Sequence, residues 1–308
     1  MQRRQFLLSA AGAAVSAGGA TPAPAAAPAG SGQFIKSICA VIFPREMPYA
    51  ECFHQAKNAG FDGVEIQLGR EITAESTAEQ AKQVGEAARQ AGVTIVSMWV
   101  SGAFDKAPLN SPDPEIRARG VEALHKAIEL ATHLNCGALL LVPGRLGNGA
   151  RFNVGYEDTW QRLTAELKKA IPAAEKAKVI LTPENVWNKF LVSPLEMRAF
   201  VDQFQSPWLQ AHFDIGNVMQ FGYPQDWILT LGPRIKRIHV KDYKLSQRAE
   251  QGRFVDLLEG DVDWKGVMAA LVKVGYRGFL SPEISQDPND PDKIKKVSQA
   301  LDKILSLA

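Results

Sequence analysis

The chain has 308 residues, 46% of them hydrophobic and 22% charged, with 35 Lys and Arg against 33 Asp and Glu. Setting aside Arg3 and Arg4 of the leader leaves the charges balanced, which argues against a nucleic-acid surface, since that needs a marked basic excess. The three cysteines, Cys39, Cys52 and Cys136, lie far apart without CxxC or zinc-ligand spacing, and their odd number excludes a complete disulfide framework.

Residues 1–30 open with the paired Arg3 and Arg4, continue through a weakly apolar stretch from Phe6 to Ala20, and offer Ala-x-Ala sites at Ala23–Ala25 and Ala25–Ala27. This reads as a bacterial export signal whose RRQFL core is similar to the twin-arginine type, with a plain Ala/Pro tail as the alternative. The apolar stretch is short and Gly-rich for a permanent span, which needs about 20 apolar residues. The expectation is an exported, periplasmic protein that folds with free thiols and meets the export machinery through its leader. The roughly 280 residues that remain show no linker after Gly32 and no repeat, so residues 31–308 read as one domain.

Beyond residue 33 apolar runs alternate with amphipathic segments. Strands are expected at 36–42, 61–67, 93–100, 137–142, 178–184, 208–214, 234–240 and 277–283. Most are too continuously apolar for a half-exposed antiparallel sheet and suit strands buried on both faces. Helices are expected at 48–59, 76–90, 113–135, 157–176, 194–204, 224–231 (short and weak), 263–274 and 290–306. The third carries Ile116, Val121, Leu124, Ile128, Leu130 and Ala131 on one stripe, with Asp113 and Pro114 at its N-terminus and Gly137 closing it. Eight β/α units match an α/β, single-domain (β/α)8 TIM barrel. The alternative, a doubly wound open sheet, is weakened by the lack of GxGxxG after the first strand.

In a barrel the C-terminal strand ends converge on one mouth. The last four strands end in TPEN, HFDIGN, RIHVKD and SPEIS, presenting Glu184, Asp214, His239 and Glu283 at intervals of 30, 25 and 44 residues. Taken singly, each is more simply a helix cap, a surface pair or a core histidine. Together, three carboxylates at one mouth would repel by about 4 kcal/mol per pair at roughly 4 Å and an effective dielectric of about 20. One divalent cation removes that cost, and three oxygen donors with one imidazole favour Mn²⁺, Mg²⁺ or Co²⁺.

PENVW, HFDIGN, RIHVKDY, LEGDVDW (258–264) and GYRGFLSPE (275–283) together resemble the sugar-phosphate isomerase/epimerase superfamily, the xylose-isomerase-like TIM barrels, over roughly residues 34–305. The resemblance implies that Glu184, Asp214, His239 and Glu283 bind one divalent metal, for which Mn²⁺ is the first expectation and Mg²⁺ or Co²⁺ the alternatives. It further implies that Glu184 and Glu283 form the acid/base pair that moves a proton beside a carbonyl through an enediolate. The endonuclease branch of these barrels assembles several metals on many histidines; here only His212 and His239 lie near the mouth, and His54, His125 and His133 fall on helices.

Around this set stand further candidates for substrate contact. Glu65 ends the second strand and reads as orienting a ligand or a substrate hydroxyl, or else as a salt-bridge partner. Trp99 and Trp187 are placed to wall a sugar face, with core packing as the alternative. Asn185 reads as holding the Glu184 carboxylate or capping a turn. His212 lies two residues before Asp214, hence on the same face and one layer deeper, which favours a buried supporting role over direct ligation. Lys241 reads as reaching an anionic or enediolate oxygen, and Asp242 as orienting His239 or a loop. No glycine-rich phosphate loop marks the seventh and eighth units, so the expected substrate is an unphosphorylated ketose, keto-sugar or keto-glycoside. A lyase or dehydratase on a keto-sugar or inosose is the second reading and a non-catalytic sugar-binding protein the third. A homo-oligomer is compatible with this reading.

Overall fold

Eight short parallel strands alternate with eight principal helices in the computed structural model, which describes residues 34–148, 151–246 and 252–308. The strands are β1 (Phe34–Cys39), β2 (Gly63–Gln67), β3 (Thr94–Trp99), β4 (Ala138–Leu141), β5 (Ile180–Pro183), β6 (Ala211–Asp214), β7 (Ile235–Val240) and β8 (Gly278–Pro282). The helices are α1 (Tyr49–Asn58), α2 (Ala78–Ala91), α3 (Pro114–His133), α4 (Tyr156–Ala177), α5 (Pro194–Asp202), α6 (Pro224–Leu231), α7 (Trp264–Lys273) and α8 (Lys293–Leu305). Every one begins and ends within three residues of the expected bounds.

The strands pair in the order β5-β4-β3-β2-β1-β8-β7-β6, all parallel. The seam between β5 and β6 is joined by two isolated parallel bridges, Leu181 to Leu209 and Glu184 to His212. The result is a nearly closed TIM barrel. Alternation along the strands sorts side chains by face. Ile38, Val64, Ile66, Leu139, Leu181 and Ile238 belong to the buried apolar core, whereas Ser37, Glu65, Thr182, His212, His239 and Ser281 are polar yet buried. Burying each large apolar side chain contributes about 1.5–3 kcal/mol, so the barrel–helix layer fixes the strands and the polar interior inherits their positions.

α3 starts as its sequence predicts: Asp113 accepts a hydrogen bond from Glu115 N and Pro114 occupies the first turn. Its end is a correction. Asn135, at φ 56, closes the helix, with Asn135 N bonding to Thr132 O at 3.2 Å and Cys136 N to Ala131 O at 2.8 Å. Asn tolerates the left-handed conformation because its short amide adds little steric conflict, and Gly137 lies beyond the cap, just before β4. α3 is tied to α4 by Arg117, whose Nε donates to Glu166 Oε1 at 3.0 Å. Cys39, Cys52 and Cys136 are all buried and unpaired. The export signal expected over residues 1–30 lies outside the described residues. No described helix is long and apolar enough to cross a membrane.

Candidate active site

Four neighbouring strands bring the four expected side chains to one place. Glu184 directly follows β5, Asp214 ends β6, His239 lies next to last in β7, and Glu283 directly follows β8. Register does the aligning: Asp214 pairs with His239, and His239 with Ser281. Nδ1 of His239 stands 2.9 Å from Glu184 Oε1, 3.0 Å from Glu283 Oε2 and 3.7 Å from Asp214 Oδ2. The four groups can offer ligand atoms that all lie within 4.8 Å of one another.

The weak seam is reinforced by a side chain. Asn185 Nδ2 donates to Asp214 O at 2.9 Å while its Oδ1 accepts from Asp214 N at 2.8 Å. The amide thus completes the pairing that the β5–β6 ladder lacks, instead of holding the Glu184 carboxylate. Asp214 caps the single-turn helix Ile215–Val218, its Oδ1 accepting from Asn217 N at 2.7 Å. Its Oδ2 is buried and accepts no hydrogen bond; Lys241 Nζ lies 3.1 Å away as an ion pair. Lys241 Nζ also lies 2.6 Å from Glu283 Oε2. Its close passage over the Asp214 turn requires Gly216, where a Cβ would stand 2.5 Å from Lys241 Cβ.

Burial and charge push these groups apart. Burial raises Glu184 to about 7, and the Glu283 and Asp214 charges add to the rise against the opposing pull of His239. Burial also works to raise Glu283, but the charges and hydrogen bonds of His239 and Lys241 override it and hold the carboxyl at about 2. Burial disfavours the His239 imidazolium, yet Cys39, Glu65, Glu283 and Glu184 together keep its pKa well above the usual range. Two carboxyl groups at one site are therefore biased toward opposite protonation states.

On the far side of the ring, His239 Nε2 lies 3.0 Å from Glu65 Oε1. Glu65 Oε2 accepts from Ser97 Oγ at 2.5 Å. A register shift between Val64 and Glu65 in the β2–β3 ladder sets Glu65 opposite Ser97, a use of bulges common beside functional sites. Glu65 thus orients His239, one of its two expected roles. Cys39 Sγ, 3.4 Å from His239 Nε2 and 3.6 Å from Glu65 Oε1, completes this flank. Cys39 ends β1, just as the four clustered residues lie at the ends of their strands.

A cavity of about 120 Å³ opens over these groups, lined by Glu65, Trp99, Glu184, His239, Lys241 and Glu283 among others. Trp99 therefore stands where expected. Trp187 does not line it: the indole is 48% exposed outside, its Nε1 donating to Asn217 O at 2.9 Å. His212 does not reach the cavity either. It is buried beneath His239, ring centroids 4.2 Å apart, and neither ring nitrogen has a hydrogen-bond partner. Burial, then the charges of His239, Arg237 and Lys241, lower its pKa well below the usual value, so it serves as neutral packing under the site and not as a substrate contact. Asp242 organises a loop: its carboxylate accepts from Tyr243 N and Leu258 N at 2.9 Å, Val262 N at 3.3 Å and Trp264 Nε1 at 3.1 Å.

The donor set fits a hard divalent cation. Three carboxylates converge with one imidazole, one carboxylate oxygen accepts no hydrogen bond, and the only nearby thiol sits on the opposite nitrogen of the ring.

A family profile described as xylose isomerase-like TIM barrel matches residues 53–304. The chain is 31% identical over 259 residues to a putative L-ribulose-5-phosphate 3-epimerase, SgbU, of Escherichia coli K12, covering 80% of this chain and 87% of that protein. It is 29% identical over 268 residues to the L-ribulose-5-phosphate 3-epimerase UlaE of Escherichia coli O1:K1, covering 83% and 90%. Among solved structures, D-psicose 3-epimerase in the presence of D-fructose superposes with a TM-score of 0.74 at 15% identity, covering 87% of this chain and 97% of that one.

Proposed function

Because this chain belongs to the xylose isomerase-like TIM barrel family and is an enzyme of the isomerase/epimerase kind, we propose that it is a divalent-metal-dependent ketose epimerase. The carrying observation is the pair Glu184 and Glu283, which flank one imidazole nitrogen at 2.9 and 3.0 Å with opposite protonation bias.

In this reading Glu184, Asp214, His239 and Glu283 hold the cation, with Mn²⁺ favoured and Mg²⁺ or Co²⁺ as alternatives. When bound, the ion polarises the substrate carbonyl and offsets the negative charge that develops beside it. One of Glu184 and Glu283 takes the proton from the carbon next to the carbonyl, giving the enediolate. The other returns a proton from the opposite face, and the configuration inverts. Glu65 keeps His239 in one orientation. Lys241 brings positive charge toward the developing oxyanion. Trp99 walls the cavity and excludes water.

The relatives' names specify a phosphorylated pentulose. An unphosphorylated ketose, keto-sugar or keto-glycoside is supported for this chain by its cavity, in which Lys241 is the only lysine or arginine among the described lining residues and is already paired with Asp214 and Glu283. Export by the leader's Arg3 and Arg4 belongs to the same reading and is checked by fractionating cells with and without an Arg3→Lys, Arg4→Lys change.

The test is incubation of Mn²⁺-loaded protein with a ketose panel in deuterated water. Deuterium should enter at the carbon beside the carbonyl in wild type and not in Glu184→Gln. Exchange that survives in that variant defeats the acid/base assignment, and a product lighter by water replaces epimerisation with elimination.

A further inference from the structure

Outside the cavity stands a pile of aromatic rings with no role in the chemistry above. Trp187 and Phe254 stack at 5.1 Å with their planes 25° apart. Tyr243 meets Trp187 edge-on at 5.9 Å and Phe254 at 5.2 Å. Tyr243 is 1% exposed, whereas Trp187 is 48% and Phe254 43% exposed. Two large rings held half-open side by side are informative in a way that scattered apolar residues are not.

The pile is fastened to the site. Phe254 pairs with Tyr243 across the antiparallel ladder of Asp242–Lys244 with Arg253–Val255. Trp187 is pinned by its bond to Asn217 O, and Asn217 N bonds the carboxylate of Asp214. The junction is Lys241, which lines the cavity, pairs with Glu283, and sets its Nζ 5.3 Å from the Phe254 ring centroid. Cavity and rings are thus continuous through one side chain. The cavity, at roughly 120 Å³, is well below the 300–1,000 Å³ or so of drug-sized pockets, which directs a second ring to the surface outside it.

We propose that Trp187 and Phe254 form an outer subsite for a second sugar ring, so that the substrate is a glycosylated keto-sugar whose keto unit enters the cavity. The apolar C–H face of a pyranose is the surface that flat, fixed rings recognise, at little ordering cost because the rings are already held. The proposal rests on the epimerase reading for what fills the cavity, but the rings recognise their ligand without it.

The experiment compares D-fructose with its glucosylated forms maltulose, leucrose and isomaltulose, by calorimetry on the Mn²⁺-loaded full chain, in wild type, Phe254→Ala and Trp187→Phe. Wild type should bind at least one disaccharide more tightly than D-fructose. Phe254→Ala should lower that disaccharide-to-fructose affinity ratio by about tenfold, the size expected for one lost aromatic face. Trp187→Phe, which keeps a ring, should lower it less. Equal ratios in wild type and Phe254→Ala overturn the subsite, as does a wild type that prefers D-fructose. A dimer that dissociates in Phe254→Ala with the ratio unchanged would assign the rings to a second copy of the chain instead. If Glu184→Gln keeps exchanging deuterium while the ratio still depends on Phe254, the mechanism fails and the subsite stands.

Discussion

Glu65 Oε1 lies 3.0 Å from His239 Nε2, on the side of the ring opposite the three carboxylates gathered around Nδ1. The ring orientation is thereby fixed: Nε2 faces Glu65 and Nδ1 faces the site. A carboxylate behind a metal-binding histidine fixes both its ring orientation and its basicity, and losing it lowers metal affinity about 10–100-fold. Glu65→Gln should therefore weaken Mn²⁺ binding by that margin with the melting temperature of the chelator-treated protein little changed. Unaltered affinity in a titration of the stripped variant would show that Glu65 only fills space.

Metal binding should also depend on pH, with a defined sign. Glu184 sits at about 7, raised by burial, so a cation must displace its proton at neutral pH and below; His239, raised well above its usual range, adds a second. Affinity should accordingly rise from pH 5 to 7, by up to about tenfold per pH unit for each proton displaced. Calorimetry in two buffers of different ionisation enthalpy measures the protons released. Glu184→Gln should release one fewer.

Glu184 and Glu283 contribute to the acid–base stability of the chelator-treated protein with opposite signs. Glu184 is raised above its ordinary 4.5, so its contribution is complete below about 4.5 and is lost as pH rises through about 7. Glu283 is depressed to about 2, so its contribution is present above about 4.5 and is lost as pH falls through 2. His212, lowered well below its usual value by burial, works in the opposite direction and gains stability as pH rises. The readable quantity is therefore a difference: in urea unfolding from pH 4.5 to 7, wild type should lose stability relative to Glu184→Gln as pH rises.

Gly216 is the point where the Asp214 turn meets Lys241, and a Cβ there would also stand 3.1 Å from Lys241 O. Gly216→Ala should cost about 1–3 kcal/mol, as overpacking of a well-filled site does. It should also displace Lys241 from Glu283 and lower turnover. Equal denaturant midpoints for the variant and wild type would refute the close approach.

Asp242 holds the 256–264 loop by gathering the Leu258 and Val262 amides and the Trp264 indole, beside the adjacent Tyr243 amide, and Gly260 packs so closely that a Cβ would overlap Asp242 Oδ1 at 1.9 Å. Asp242→Ala strands several buried donors and should destabilise the protein by about 2–4 kcal/mol, read as a lower urea midpoint with altered tryptophan emission.

The strands and helices were legible because their signals are local. Continuous apolar runs bounded by turns, and stripes at helical spacing, do not depend on what lies across the sheet. The four-residue cluster was legible for a related reason: one polar residue per strand end, repeated at the spacing of a β/α unit, converges in any barrel. Glu65 followed from the same rule. The same rule reaches Cys39, the last residue of β1.

What only the tertiary structure decided is lateral. Whether Asn185 would hold Glu184 or the Asp214 peptide depends on how the β5–β6 seam pairs, and the sequence does not state register. That His212 lies beneath His239, that Ser97 meets Glu65 across a shifted ladder, and that Trp187 stacks on Phe254 outside the cavity all join residues distant along the chain. Periodicity assigns each side chain a face of its own strand or helix. Which partner waits on that face is set by barrel closure and loop packing, where contacts form between segments whose sequences carry no record of one another.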